Sequence, residues 1–283
     1  MLDAQQCVTM ACLLDVIAPK PGNVHRGADF PDMTFLDFAA SAVAIGPPIA
    51  NANQQRLGKT ILDAIRATRN VVSTNTNLGI VLCLAPLSAV READDRQAAL
   101  EKLFAALTSD DAEDVFTAIR LADAGGLGEV DELDVNATET GPSDLMEAMQ
   151  SAKDRDRIAE LYVTRFELIF DFVVPRLCLN CENRGLIDGI LATFVETLST
   201  YPDTLIKRKC GPEMAIEASD RAKRVLDGET NNFHNLLADL DFWLRSDKTR
   251  RNPGTTADIV TAAIYLGLLD QNCLLYTSDA ADE

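Results

Sequence analysis

Residues 249–258 read Thr-Arg-Arg-Asn-Pro-Gly-Thr-Thr-Ala-Asp and lead into an apolar run that ends at Leu269. Two arginines, an amide and a Pro-Gly turn thus stand directly before a helix start. Thr255 suits an N-cap, and Asp258 follows three residues later, as in a capping box. Free N–H groups at such a start attract anions, and Arg250 and Arg251 lie beside them. The chemistry on offer is a phosphate seat built from Arg251, Asn252, Thr255 and Thr256. Ordinary capping of the last helix accounts for Asp258 and its neighbours equally well.

Three further segments share this character. The first runs from Pro19 to Met33 and holds Lys20, Asn23, His25, Arg26, Asp29 and Asp32. The second, Ser73 to Gly79, holds Asn75, Thr76 and Asn77. The third, Tyr201 to Gly211, holds Asp203, Thr204 and the run Lys207-Arg208-Lys209. Each is a polar loop between apolar stretches, mixing amides, hydroxyls, cations and carboxylates, as a nucleotide and its metal require.

Roles can be assigned residue by residue. Prolines on both sides fix the backbone of Lys20, which with Asn23 and Arg26 suits phosphate contacts; taken without the other segments, this one reads as a solvent-facing turn. Asp29 and Asp32 suit Mg²⁺, which is held by one or two carboxylates together with phosphate oxygens, and read equally as solvated loop acids. Asn75, Thr76 and Asn77 suit adenine or ribose hydroxyls, and equally suit helix caps. Asp203 follows an apolar helix, where burial would raise its pKa toward that of a general base. It also reads as a turn residue after Pro202. His25 is the alternative base, with a near-neutral intrinsic pKa. Thr204, Lys207 and Arg208 complete a phosphate contact, although a charge run also reads as a solvated face.

The elements that must position these loops are helical. Apolar residues recur at spacings of three and four over 4–17, 35–45, 61–69, 79–90, 98–107, 115–122, 158–179, 186–198, 214–226, 236–244 and 259–269. Thr34 with Asp37 reads as a further N-cap pair, and Gly125-Gly126 as a helix stop. Alternation at period two is absent. The pattern predicts an all-α bundle of about ten helices in a single domain over residues 1–272. The stretch 125–153 reads as a long loop within that domain.

Composition excludes several classes of function. Apolar residues make up 47% of the chain, enough for a substantial core. A formal charge of −18 disfavours nucleic acid and anionic membranes as partners. No stretch reads as a bilayer span, and no basic region precedes the first apolar residues as in a signal peptide. The seven cysteines sit mostly among apolar helical residues, which points to reduced thiols and a cytoplasmic location. Cys178-Leu179-Asn180-Cys181 lacks a second pair or a nearby histidine, so zinc is not expected. Gly125-Gly126-Leu127-Gly128 follows a helix rather than a strand and is no dinucleotide fingerprint. Residues 273–283 resemble the translation of a transposon sequencing adapter and are set apart from the fold.

Taken in order, the four segments resemble the triphosphoribosyl-dephospho-coenzyme A synthase family. The resemblance lies in Pro19 to Val24 with Asp32-Met33, in Asn75 to Gly79, in Asp203-Thr204, and in Asn252 to Asp258. It departs from the family at Asn77-Leu78, where His-Lys is usual, at His25 in place of an Asp, and at Lys207 to Lys209. These departures make the chain similar to the branch found beside tetrahydromethanopterin-pathway genes. The resemblance implies an all-α transferase using ATP and Mg²⁺. The 2′-hydroxyl of dephospho-coenzyme A attacks C1 of the ATP ribose, and adenine leaves. Two other readings follow from the departures: ribosyl transfer to a different acceptor in one-carbon cofactor biosynthesis, and a nucleotide-binding protein without catalysis. In each case small-molecule nucleotides are the expected partners.

One reaction needs Lys20, Asn75, Asp203 and Arg251 together. The loops at 18–33, 73–79, 201–211 and 248–256 are therefore expected to converge, with the last helix pointing its N-terminus at the triphosphate. Asp203 is expected at the ribose end, because its charge would repel phosphate.

Overall fold

The computed structural model describes residues 2–122, 144–228 and 232–270. The Gly125-Gly126 stop, most of the 125–153 loop and the 273–283 tail lie outside them. Among the described residues there is no strand, only isolated bridges between His25 and Ala28 and between Phe30 and Met33. The helices are α1 (Ala4–Ile17), α2 (Phe35–Ala50), α3 (Leu57–Arg69), α4 (Leu78–Ala89), α5 (Arg96–Ala105), α6 (Ser109–Ala122) and α7 (Leu145–Ala152). They continue as α8 (Arg157–Val163), α9 (Val174–Arg184), α10 (Leu186–Thr200), α11 (Thr204–Cys210), α12 (Pro212–Asp227), α13 (Phe233–Arg245) and α14 (Gly254–Leu269).

The all-α expectation holds, but the count of about ten does not, since fourteen α-helices occur among the described residues. The unforeseen ones are short: α7 and α11 have 8 and 7 residues. That is less than the window in which an apolar period of 3.6 can be read. The expected single helix over 158–179 is broken. Arg165 and Phe166 take positive φ values of 54° and 62°, and a π-helical segment, Ile169–Val173, follows. Pro175 then sits in the first turn of α9, where its missing N–H costs nothing.

Two compact units emerge. The first comprises Met1–Leu13 and Leu36–Leu168, the second Leu14–Phe35 and Ile169–Glu283. Each is built around one helix that is apolar on all sides, the mark of a central element. In the first unit this is α4, with residues from Ile80 to Ser88 buried. Helices α3, α5 and α8 pack on it. Helix α3 also lies against α6 so closely that a Cβ on Gly58 would meet the Asp111 backbone at 2.5 Å. In the second unit the central helix is α14, where 13 of 16 residues are buried. Helices α9, α10 and α11 surround it. Each fully buried Leu or Ile side chain in such a helix stabilises by roughly 1.5–3 kcal/mol.

The run Phe35–Gln54, α2 with the 3-10 turn Ala52–Gln54, has the length and mean hydropathy (1.2) of a bilayer span. This corrects the sequence reading, which found no such stretch. Pro47, Pro48 and Gly46 dilute the apolar signal in the sequence. Helices of protein cores pass the same test, and Ser41, Ala42, Ile45 and Ile49 of α2 are buried.

Candidate active site

The second unit brings three of the four polar loops into direct contact around the start of α14. Asp203 is the junction. It caps α11, with Oδ1 accepting from the N–H groups of Leu205 (2.9 Å) and Ile206 (3.0 Å). Its Oδ2 accepts from the N–H of Thr256 (2.8 Å) and from the Thr256 hydroxyl (2.7 Å). A single carboxylate thus ties two helix starts together, and Thr204 Oγ1 reaches Thr255 Oγ1 at 3.3 Å beside it. Asp203 is 2% exposed, and burial pushes its pKa up, although the Ile206 and Thr256 donors oppose the shift.

This geometry alters two expectations. Thr255 does not cap α14: the helix begins at Gly254 with Pro253 in the cap position, because the acceptor comes from Asp203, far away in sequence. Nor does Asp203 stand apart from the anion seat. Its own carboxylate occupies the Thr256 N–H that a phosphate was expected to take. Thr256 is buried, and Asp258, one turn into the helix, is half-buried.

The loop 19–33 joins this junction through amides. Asn23 Nδ2 donates to Asn252 Oδ1, while Asn23 Oδ1 is buried with no hydrogen-bond partner. Gly22 takes φ = 74°, and a Cβ there would meet Leu244 and Pro253 at 2.9 Å, so only glycine fits. Its N–H donates to Asp241 Oδ1 at 2.7 Å. His25 Nδ1 accepts from the Gly27 N–H at 3.1 Å, which leaves the proton of the neutral ring on Nε2. Burial lowers the His25 pKa, and the Arg245 charge lowers it further. Arg26 is exposed.

Lys20 lies differently from a phosphate ligand. It is 0% exposed and its ammonium pairs with Asp15, at 2.8 Å from Oδ1 and also through the Asp15 carbonyl. Asp15 accepts in turn from Thr261 Oγ1 of α14 at 2.7 Å. Lys20 therefore pins the end of α1 to α14. Asp29 is exposed and accepts the Phe35 N–H at 2.7 Å, and Asp32 is exposed. Among the described residues no group of three or more His, Cys, Asp or Glu is arranged to hold a metal.

The loop 248–256 contributes Arg251, whose side chain is 18% exposed. Its guanidinium lies 4.6 Å from the centroid of Trp243 and donates from Nη1 to the Trp243 carbonyl (3.2 Å) and Ser246 Oγ (3.1 Å). Its Nε is buried and faces Asp247 Oδ2 at 3.9 Å, an ion pair too long for a hydrogen bond. Arg250 reaches back to the Lys209 carbonyl at 2.9 Å. Lys207 and Arg208 are exposed, while Lys209 is half-buried, with its pKa lowered by burial and by Arg208.

The fourth loop belongs to the first unit. Asn75 Oδ1 accepts the Leu78 N–H (3.1 Å) at the start of α4. Thr76 Oγ1 pairs with Ser41 Oγ at 2.6 Å, and Asn77 exchanges hydrogen bonds with Thr68 at 3.0 and 3.2 Å. Thr76 and Asn77 are buried.

Sequence reasoning missed Asp15, Asp241, Arg245 and Trp243. The last three lie on α13, whose polar residues read as the solvated face of an amphipathic helix. Only the Asp241–Arg245 spacing of four carries a signal, that of a helical ion pair.

The profile of the CitG family, ATP:dephospho-CoA triphosphoribosyl transferase, matches residues 1–274. The chain belongs to this family. It is accordingly a transferase that uses ATP as substrate and dephospho-CoA as acceptor. A crystal structure of a candidate triphosphoribosyl-dephospho-coA synthase from Archaeoglobus fulgidus is similar in fold, with a TM-score of 0.66. Its sequence is 23% identical, and the match covers 82% of this chain and 99% of that one. Among curated proteins no match is found. The family and the fold agree with the resemblance seen in the four sequence blocks.

Proposed function

We propose that the junction of Asp203, Thr256, Asn23, Asn252 and Arg251 in the second unit is the nucleotide seat of this transferase. The observation that carries the reading is a buried acceptor without a hydrogen-bond partner, Asn23 Oδ1, in the loops that Asp203 and its neighbours hold together, one of which also holds the Arg251 guanidinium. Buried polar atoms are normally paired, and an unpaired acceptor in a site that also holds a guanidinium suits a ligand that offers both hydroxyl donors and phosphate oxygens. A ribose triphosphate offers both.

In the transfer, the C1′–N9 bond of ATP breaks and a bond forms from C1′ to the 2′-oxygen of dephospho-CoA. The hydroxyl proton is lost and adenine departs carrying one. The transition state resembles an oxocarbenium ion, so charge must be held at the triphosphate and supplied at the leaving base. Arg251, stacked on Trp243, suits the triphosphate, with Lys207, Arg208, Lys209 and Arg26 as further cations at the rim. The lowered pKa of His25 keeps its ring neutral at pH 7, and Nε2–H suits a hydrogen bond to the departing adenine, whose proton comes from solvent. Asp203, with both oxygens accepting from two donors each, acts here by orienting α11 and α14. As a base it would have to release the Thr256 hydroxyl first.

Mg²⁺ fits this reading in part. Asp29 keeps one oxygen beyond its bond to Phe35, and Asp32 is exposed, which meets the need for one or two carboxylates plus phosphate oxygens. The ion would neutralise phosphate charge there. Asn75, Thr76 and Asn77 lie in the first unit and are not part of this seat. Because Thr76 and Asn77 are hydrogen-bonded within that unit, they support its loop rather than offer free groups. A cytoplasmic site of action follows from the substrates, which are soluble nucleotides.

The test is to incubate the protein with ATP and dephospho-CoA and to separate the products. Free adenine equimolar with a triphosphoribosylated coenzyme is the expected result. Release of phosphate or pyrophosphate without adenine would overturn the reading.

A further inference from the structure

Helix α13 carries a pair of side chains that grip the 19–30 loop by its backbone. Arg245 Nε donates to both Asp241 oxygens, at 2.8 and 3.0 Å. From the same fork, Nη2 donates to the carbonyl of Asn23. The guanidinium also lies 5.1 Å from the centroid of Phe30. Asp241 Oδ1 accepts the Gly22 N–H at 2.7 Å. Two adjacent residues of one loop, Gly22 and Asn23, are therefore held through a donor and an acceptor by one ion pair. Only a planar guanidinium with several fixed N–H directions can bridge a carboxylate and a carbonyl in this way.

The grip matters because of what the turn carries. Gly22 is in a backbone conformation only glycine adopts readily, wedged against Leu244 and Pro253. Such a turn persists when its surroundings over-determine it. Immediately after it come Asn23, whose Oδ1 is buried and unpaired, and His25. Neither reaches a ligand accurately unless the turn is fixed.

We infer that Asp241 and Arg245 are positioning residues of the transferase, holding the Gly22–His25 segment in register for the nucleotide. This rests on the reading of the second unit as the nucleotide seat. Neither residue touches the reacting atoms; both act through Gly22, Asn23 and His25.

The two charges also act on His25 in opposite senses. The Arg245 cation opposes the imidazolium, and the Asp241 anion favours it. The other charges bearing on His25 are Lys20, which opposes the imidazolium, and Asp29, which favours it. Substitutions at the two α13 positions must then move His25 in opposite directions, a signature that loss of a structural brace alone would not give.

The chain has two histidines, so both ring signals can be followed by NMR titration of the full-length protein. His234, at a side-chain exposure of 68%, serves as the internal reference. Arg245→Gln is expected to raise the His25 midpoint, and Asp241→Asn to lower it, with His234 unmoved. Arg245→Lys keeps the charge but not the fork, so it should leave the His25 midpoint low. In the adenine-release assay Arg245→Gln and Arg245→Lys should both lower kcat/KM, by on the order of a hundredfold, as expected for a misplacement of about 1 Å. Asp241→Asn retains an acceptor for Gly22 and should fold even where Arg245→Gln does not. Wild-type kcat/KM in both Arg245 variants, or a His25 midpoint that ignores both substitutions, would overturn the proposal. A wild-type protein that never releases adenine would instead refute the transferase site, while the histidine titration would still report on the grip.

Discussion

Two buried carboxylates, one in each unit, do similar mechanical work under opposite electrostatics. Asp111, in the first turn of α6, accepts from Gly58 N–H (2.9 Å), Thr108 N–H (3.0 Å) and Thr108 Oγ1 (2.8 Å). Arg56 stands 3.3 Å away. Burial pushes the Asp111 carboxyl up, but these donors and the guanidinium outweigh it, and its pKa ends below the ordinary value. Asp203 accepts from four groups, one more than Asp111, yet burial wins and its pKa is raised. The leading groups opposing burial at Asp203 are neutral amides and a hydroxyl rather than an adjacent guanidinium. An acid held with its charge matched anchors a fold. An acid held with its charge opposed marks a place where stability has been given up, and such places concentrate at functional sites.

Removing each charge should separate the two cases. Asp111→Asn gives up a favourable ion and keeps only part of its acceptors, so it is expected to cost about 3 kcal/mol in urea unfolding at pH 7. The folded fraction should transfer ribosyl groups at the wild-type rate. Asp203→Asn also loses acceptors for Thr256, but it relieves a penalised charge, so its cost should be smaller, about 1–2 kcal/mol. Its kcat/KM should nevertheless fall on the order of a hundredfold, because α11 and α14 lose their common cap. A reversed ranking, with Asp203→Asn the more destabilising and the less damaging to activity, would break the comparison.

The pH dependence sharpens it. The folded pKa of Asp111 is depressed, so its contribution is present above the ordinary carboxylate range and is lost as pH falls through the folded value. The stability gap between wild type and Asp111→Asn should therefore shrink on acidification. The folded pKa of Asp203 is raised, so its ionised form costs stability, and that cost is relieved as pH falls through the raised value toward the ordinary one. The gap between wild type and Asp203→Asn should widen over that window. Parallel slopes for the two variants would show that the carboxylates do not differ.

The smallest expected effect lies in the first unit. Ser41→Ala removes a partner of Thr76, and loss of one neutral hydrogen bond costs about 1 kcal/mol. A loss of ATP affinity from this change, with little loss of stability, would move Thr76 from support to contact.

The sequence foretold the class of fold better than its parts. Long amphipathic runs such as 186–198 and 214–226 show the helical period plainly, whereas α7 and α11 are too short to show one. Three of the four polar loops could be read as parts of one site because Pro, Gly and Asn punctuate them. What each residue does there was hidden, because the deciding partners are remote in sequence. The sequence presents Asp203 as a base or a turn residue, but Thr256, 53 residues on, fills its second oxygen. The sequence presents Lys20 as a phosphate ligand, but Asp15, itself bonded to Thr261, holds it within the core. Arg245 left almost no trace, since a charged residue every fourth position is what any exposed helix face displays.

The central claim, that the nucleotide sits against Arg251 and its loops in the second unit, has a built-in reporter. Trp243 is the one tryptophan of the chain and stacks on Arg251. Titrating ATP in the presence of Mg²⁺ should change its fluorescence saturably, and Arg251→Gln should raise the dissociation constant about tenfold, or 1.4 kcal/mol. Tight ATP binding that leaves Trp243 unchanged and is indifferent to Arg251→Gln would place the nucleotide elsewhere and contradict the account.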